Sequence, residues 1–123
     1  MSNTISIREL ATEARRLAEM FPDRTAICTY TRYVDDELVP NCIVGRAAYN
    51  LGVSLDDLNL YNACGIRYLT TIERPEWLEY DAAEDNVHMH WLSHLQGAQD
   101  GGASWGEALH CADRWLVMTQ FGI

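Results

Sequence analysis

The chain has 123 residues, about the size of one domain, and 48% of them are apolar, so it has the composition of a globular protein and not of a disordered one. Eighteen acids face nine bases, a net charge of −9 that opposes binding to nucleic acid or to an anionic membrane. No stretch approaches the ~18–20 apolar residues that span a bilayer, and Met1–Leu10 lacks the basic start and apolar run of a secretion signal, so a cytoplasmic location is expected.

In chain order, the first predicted helix places Ile7, Leu10, Ala11, Ala14, Leu17, Ala18 and Phe21 on one face. Ser6 and Glu9 have capping-box spacing at its start, and Pro22 closes it. Residues 24–39 read as β: Thr25–Tyr33 is rich in Thr, Tyr and Ile, and Asp35-Asp36 makes the turn before Glu37-Leu38-Val39. A hairpin alone is marginal and must pack on a helix. The second helix starts after Pro40-Asn41 and runs from Cys42 to Leu51, with Gly52 as the residue just past its end. The third begins at Ser54 and reaches Tyr61 or Asn62. Residues 64–73 are ambiguous, because Ile66, Tyr68, Thr70 and Ile72 alternate like a strand while a helical turn is equally compatible. Pro75 and Trp77 begin a short turn or helix. The fourth helix spans Glu84 to Gln99 with Val87, Trp91, Leu95 and Ala98 as its buried stripe. Asp100-Gly101-Gly102 ends it. A second Ser-x-x-Glu box, Ser104 and Glu107, starts the fifth helix, whose apolar face is Trp105, Ala108, Leu109, Ala112 and Leu116. The short connection predicts an antiparallel pair for the last two helices. The expected architecture is a single α+β domain over 1–123, mainly helical, with about five helices and one small hairpin in the N-terminal half.

The four cysteines, Cys28, Cys42, Cys64 and Cys111, have no Cys-x-x-Cys spacing, so they read as buried small hydrophobes in a reducing compartment. Cys42 stands at a helix start, where the dipole would lower a thiol pKa. The stretch from Val44 to Tyr61 has the spacing of a helix-turn-helix, with Ala48, Gly52, Val53, Leu58 and Tyr61 at the demanding positions. Its surface argues against DNA: the second helix presents Ser54, Asp56, Asp57 and Asn59 and no base, and only Arg46 lies nearby. If DNA were bound, Arg46, Ser54 and Asn59 would carry it. Three histidines make a candidate metal set: His90 and His94 are one turn apart, and His110 of the next helix would approach them in an antiparallel pair. The ordinary reading is boundary histidines on an amphipathic helix, since His-Glu-x-x-His is missing. The sequence carries no phosphate loop, dinucleotide fingerprint or nucleophile elbow, and no cofactor is implied.

One acidic run stands out: Glu73, Glu76, Glu79, Asp81, Glu84 and Asp85, with Arg74 as its lone base. A solvated face explains most such runs. The run also suits a basic surface of another protein, for which Glu73, Glu76, Trp77, Glu79, Asp81 and Trp115 are the candidate contacts, the two tryptophans as edge anchors. All nine bases are arginine, as expected of a GC-rich genome. The segments Asn41–Val53 and Leu95–Ala108 resemble small uncharacterised accessory proteins of actinobacteria and their phages. That resemblance implies no catalytic residue; the net charge, the acidic run, the edge tryptophans and the missing catalytic motifs lead to the expectation of a non-enzymatic, protein-binding accessory factor, and a phage source would make it a host-takeover or counter-defence protein in the host cytoplasm. A helix-turn-helix regulator and a metal-dependent enzyme using the histidine pair are the alternatives.

Overall fold

The computed structural model describes residues 2–26, 29–62 and 64–120. Their elements are β1 (Ile5–Ser6), α1 (Ile7–Met20), β2 (Thr31–Val34), β3 (Glu37–Pro40), α2 (Ile43–Asn50), α3 (Leu55–Asn59), α4 (Ile66–Thr71), β4 (Leu78–Glu79), α5 (Ala82–Asp100) and α6 (Trp105–Gln120). The fold is α+β and mainly helical, as expected, with six helices among the described residues. The extra one, α4, lies in the ambiguous segment, where Ile66 and Leu69 are buried at helical spacing.

Several local signals act as read. Ser6 and Glu9 close a full capping box on α1, whose six buried residues are Ile7, Leu10, Ala11, Ala14, Leu17 and Ala18. Phe21, expected on that face, is exposed, because the helix ends before it. Asp35 and Asp36 both take positive φ, 51° and 64°, the turn that matches the twist of the paired strands β2 and β3. α2 ends in a Schellman motif: Gly52 has φ 101°, its N–H donates to the Tyr49 carbonyl, and the Val53 N–H donates to the Ala48 carbonyl. Ser104 and Glu107 reciprocate as the box at α6.

Other features follow from tertiary demands. β2 begins at Thr31 instead of Thr25, and the loop before it docks on α6. The carbonyls of Arg24 and Pro22 accept the Trp105 and Gly106 N–H groups, at 2.8 and 2.9 Å. These are first-turn donors that a helix cannot satisfy itself. β1 and β4 form a parallel pair, Ile5 opposite Leu78, that alternation could not reveal because each strand has two residues. The buried face of α5 is Met89, Trp91, Leu92, Leu95, Gln96 and Gln99. Val87, expected inside, is 48% exposed, and the two glutamines take interior places instead. Helices α5 and α6 pack as an antiparallel pair, with α1 across both and α2 against α1. The core is one cluster in which every helix takes part. Among the described residues no helix is long and apolar enough to cross a membrane.

Asp113 of α6 ties three helices together. It accepts both guanidinium nitrogens of Arg15, at 3.0 and 2.5 Å, and the Trp91 indole N–H at 2.9 Å. The Arg15 hydrogen bonds hold its carboxyl below the ordinary value despite partial burial. A lowered folded-state pKa means that the contribution is present above the unfolded pKa, about 3.9, and is lost as pH falls through the folded value. Both side chains are about two-fifths exposed, so solvent screening keeps the contribution to about 1 kcal/mol or less. Urea unfolding of Asp113→Asn should therefore show a loss of that size at pH 6, shrinking toward zero at pH 2–3. An equal loss at both pH values would refute the ionic origin.

Candidate functional site

The parallel pair β1–β4 and the start of α5 gather most of the acidic run into one groove of about 740 Å³. Glu76, Glu79, Asp81, Glu84 and Asp85 line it, with Arg8 and Arg74. Five carboxylates thus face two guanidiniums. Part of this charge is structural. Asp81 caps α5 by accepting the Ala83 N–H at 3.0 Å, and Asp85 accepts the Asp81 N–H at 2.9 Å. Carboxylates at a helix start also suit its dipole. Arg8 reaches Asp85 at 3.3 Å, and Arg74 donates to the Tyr80 carbonyl at 2.8 Å. Glu76 and Glu79 lie before the helix and have no capping role. The groove also offers Pro75, Leu78 and Tyr80. A second concavity, lined by Asp56, Asp57 and Leu60, shares Pro75 and Glu76 with it, so the negative surface continues toward the start of α3.

The predicted contact set is thereby divided. Glu76, Glu79 and Asp81 come together. Glu73 lies outside the groove and its carboxylate accepts the Tyr68 hydroxyl at 3.3 Å. Trp77 is not an edge anchor: it is 6% exposed, lies edge-on to Tyr61, and belongs to the core. Trp115 lies elsewhere, on α6, half-buried with the His94 ring stacked on it at 4.9 Å and His90 at 5.9 Å. Glu84 and Asp85 complete the groove. Their membership of the acidic run was visible, but their convergence with Glu76 needs the β1–β4 pairing, which leaves no periodic trace.

The other two candidate sets do not assemble. The helix-turn-helix reading had the packing right, since Ala47, Ala48, Val53 and Leu58 are all buried. However, α3 has only five residues, and its Ser54 is an N-cap that accepts the Asp57 N–H at 3.2 Å. Asn59 accepts the Thr31 hydroxyl and the Asn62 amide, each at 2.9 Å, so it fastens the hairpin to α3. Arg46 lines a different concavity from Ser54. For the histidines, no group of three His, Cys, Asp or Glu side chains among the described residues could hold a metal ion. His90 and His94 pack on Trp115, and burial, with the nearby His90 and Arg67, lowers the His94 pKa; His110 is exposed.

Burial also overrides the helix dipole at Cys42. Its thiol is pushed up to about 12, chiefly by desolvation, and its Sγ serves as the cap that accepts the Gly45 N–H at 3.3 Å. Cys64 is half-buried and Cys111 is exposed, against the expectation of buried thiols; Cys28 lies outside the described residues. No protein-family model, curated protein or solved structure matches the chain.

Proposed function

We propose that the protein works by binding, without catalysis, a basic surface of another protein through the groove between β4 and α5. The observation that carries this reading is the convergence of Glu76 and Glu79, which neither cap a helix nor fill the core, with Asp81, Glu84 and Asp85. Lys or Arg side chains of a partner would lay their aliphatic stems on the half-buried Tyr80 and their charges against the carboxylates. The setting we propose is that of an accessory factor of an actinobacterium or its phage, acting in the host cytoplasm.

The test is affinity capture from actinobacterial lysate at low and moderate salt, with Glu76→Lys/Glu79→Lys as the discriminating variant. Asp81 is left intact because its loss would also uncap α5. We expect one stoichiometric, salt-sensitive partner and at least about a tenfold loss of capture in the variant, since a buried interfacial charge truncated or reversed costs about 2 kcal/mol or more. Undiminished capture by the variant would sink the groove assignment.

A further inference from the structure

The positive charge of this chain is as unevenly placed as the negative. Arg8, Arg15 and Arg16 are each in an ion pair. Arg24, Arg32 and Arg46 are in none among the described residues, yet all three line one concavity of about 680 Å³ with no carboxylate in its wall. Each comes from a different element: Arg24 from the loop after α1, Arg32 from β2 and Arg46 from α2. In a protein with twice as many acids as bases, this wall of three arginines and no carboxylate leaves its positive charge uncompensated by neighbouring side chains.

The site is also built. Arg24 lies over the Phe21 ring at 4.3 Å and the Trp105 ring at 5.2 Å, and its loop is fastened to α6 by the Trp105 N–H bond to its carbonyl. Arg32 sits in a strand paired across to Val39. The wall of the concavity also includes Gly102, just past the C-terminus of α5, so it stands at the opposite end of that helix from the acidic groove. The 19 residues of α5 put the two about 28 Å apart along its axis.

We infer that this concavity binds a compact phosphate group, either inorganic phosphate or the phosphoryl end of a small monoester. Guanidinium forks match phosphate oxygens in pairs, which ammonium groups cannot do. The separation of the two charged ends selects for size. The Debye length is about 8 Å at physiological ionic strength, so a small anion between the arginines is screened from the acidic end. A nucleic-acid strand would extend beyond the concavity and meet a surface of net charge −9. The concavity lies within the range of small-molecule sites, roughly 300–1,000 Å³, with room for a phosphate or a small monoester. This inference is independent of the acidic groove and survives its failure.

The experiment is calorimetric titration of the full chain at physiological ionic strength with inorganic phosphate, glycerol phosphate and a 12-nucleotide single-stranded DNA. We expect saturable binding of phosphate and of glycerol phosphate, weakened about tenfold by Arg46→Ala and by Arg32→Ala, with Arg67→Ala, outside the wall, as the unchanged control. Tighter binding of glycerol phosphate would identify a monoester as the ligand, and equal binding would identify the free ion. The exposed Arg32 can be replaced without disturbing the core, so a folding defect in Arg46→Ala would leave the test intact. Lack of saturable phosphate binding, indifference to both substitutions, or preference for the oligonucleotide would overturn the inference.

Discussion

Replacing Gln99 by leucine should lower the unfolding free energy by about 2–5 kcal/mol, although the two side chains are close in size and the new one is apolar. Gln99 is fully buried near the end of α5. Its Oε1 accepts the backbone N–H of Ile43 at 2.7 Å and the indole N–H of Trp105 at 3.2 Å. Ile43 is the first residue of α2, so its N–H has no partner within its own helix. One amide oxygen therefore satisfies the start of α2 and the indole at the start of α6, while its Nε2 donates to Asp100 at 2.8 Å. Leucine would leave two buried donors without an acceptor, at about 1–3 kcal/mol each. The added apolar surface offsets little, because the cavity is shaped for an amide. Urea denaturation measures this directly: the midpoint should fall with an unchanged slope. A loss below about 1 kcal/mol would mean that the two donors find other acceptors, and would remove Gln99 from its assigned place as the joint of three helices.

Gly45→Ala should cost about 1–3 kcal/mol, against the normal preference of a helix for alanine. In an exposed helix interior that exchange gains about 0.5–1 kcal/mol. Here a Cβ on Gly45 would overlap the Tyr30 carbonyl oxygen and lie 2.8 Å from its carbonyl carbon and Cα. Backbone cannot swing aside as a side-chain tip can. The Tyr30 segment is also held on every side: Asn41 and Cys42 donate to the carbonyls of Tyr30 and Thr29, at 2.9 and 3.0 Å, the Tyr30 hydroxyl donates to the Cys64 carbonyl at 2.6 Å, and the Thr31 N–H donates to Asn62. The helix must therefore shift away from the Tyr30 segment. Gly97, in α5, is the matched control, because nothing lies within 4 Å of the place its methyl group would take. Gly97→Ala should raise stability by about 0.5–1 kcal/mol. Thermal melts of the two variants should move in opposite directions; a stable Gly45→Ala would contradict the close approach of α2 to Tyr30.

The acidic groove shows how much of a site can be seen before folding. Glu76, Glu79 and Asp81 were identifiable from the density of carboxylates alone, because charge runs stay on the surface in almost any fold. Trp77, sitting between them, was misplaced by the same reasoning: a tryptophan among acids reads as an exposed anchor, yet the two-residue pairing of β4 with β1 turns it into the core. The arginine concavity had no sequence signal at all. Arg24, Arg32 and Arg46 are separated by eight and fourteen positions, lie in a loop, a strand and a helix, and each alone looks like a solvated base.

Elements whose stability is local were legible from the residue order. The capping boxes at Ser6 and Ser104, the Asp35-Asp36 turn and the Gly52 end of α2 each depend on atoms within five residues, so short-range pattern is sufficient to specify them. The apolar face of α1 was equally plain, because one face of that helix meets one core. Tertiary structure alone decided the rest. It turned α5 so that Val87 faces out and Gln96 and Gln99 face in, since the first N–H groups of α4 and α2 need acceptors and these two amides supply them, at 2.8 and 2.7 Å. It started the first strand late, at Thr31, leaving the segment before it free for the Pro22 and Arg24 carbonyls to satisfy the start of α6. A buried backbone donor must have a partner, and when that partner lies 30 or 56 residues away no periodicity announces it.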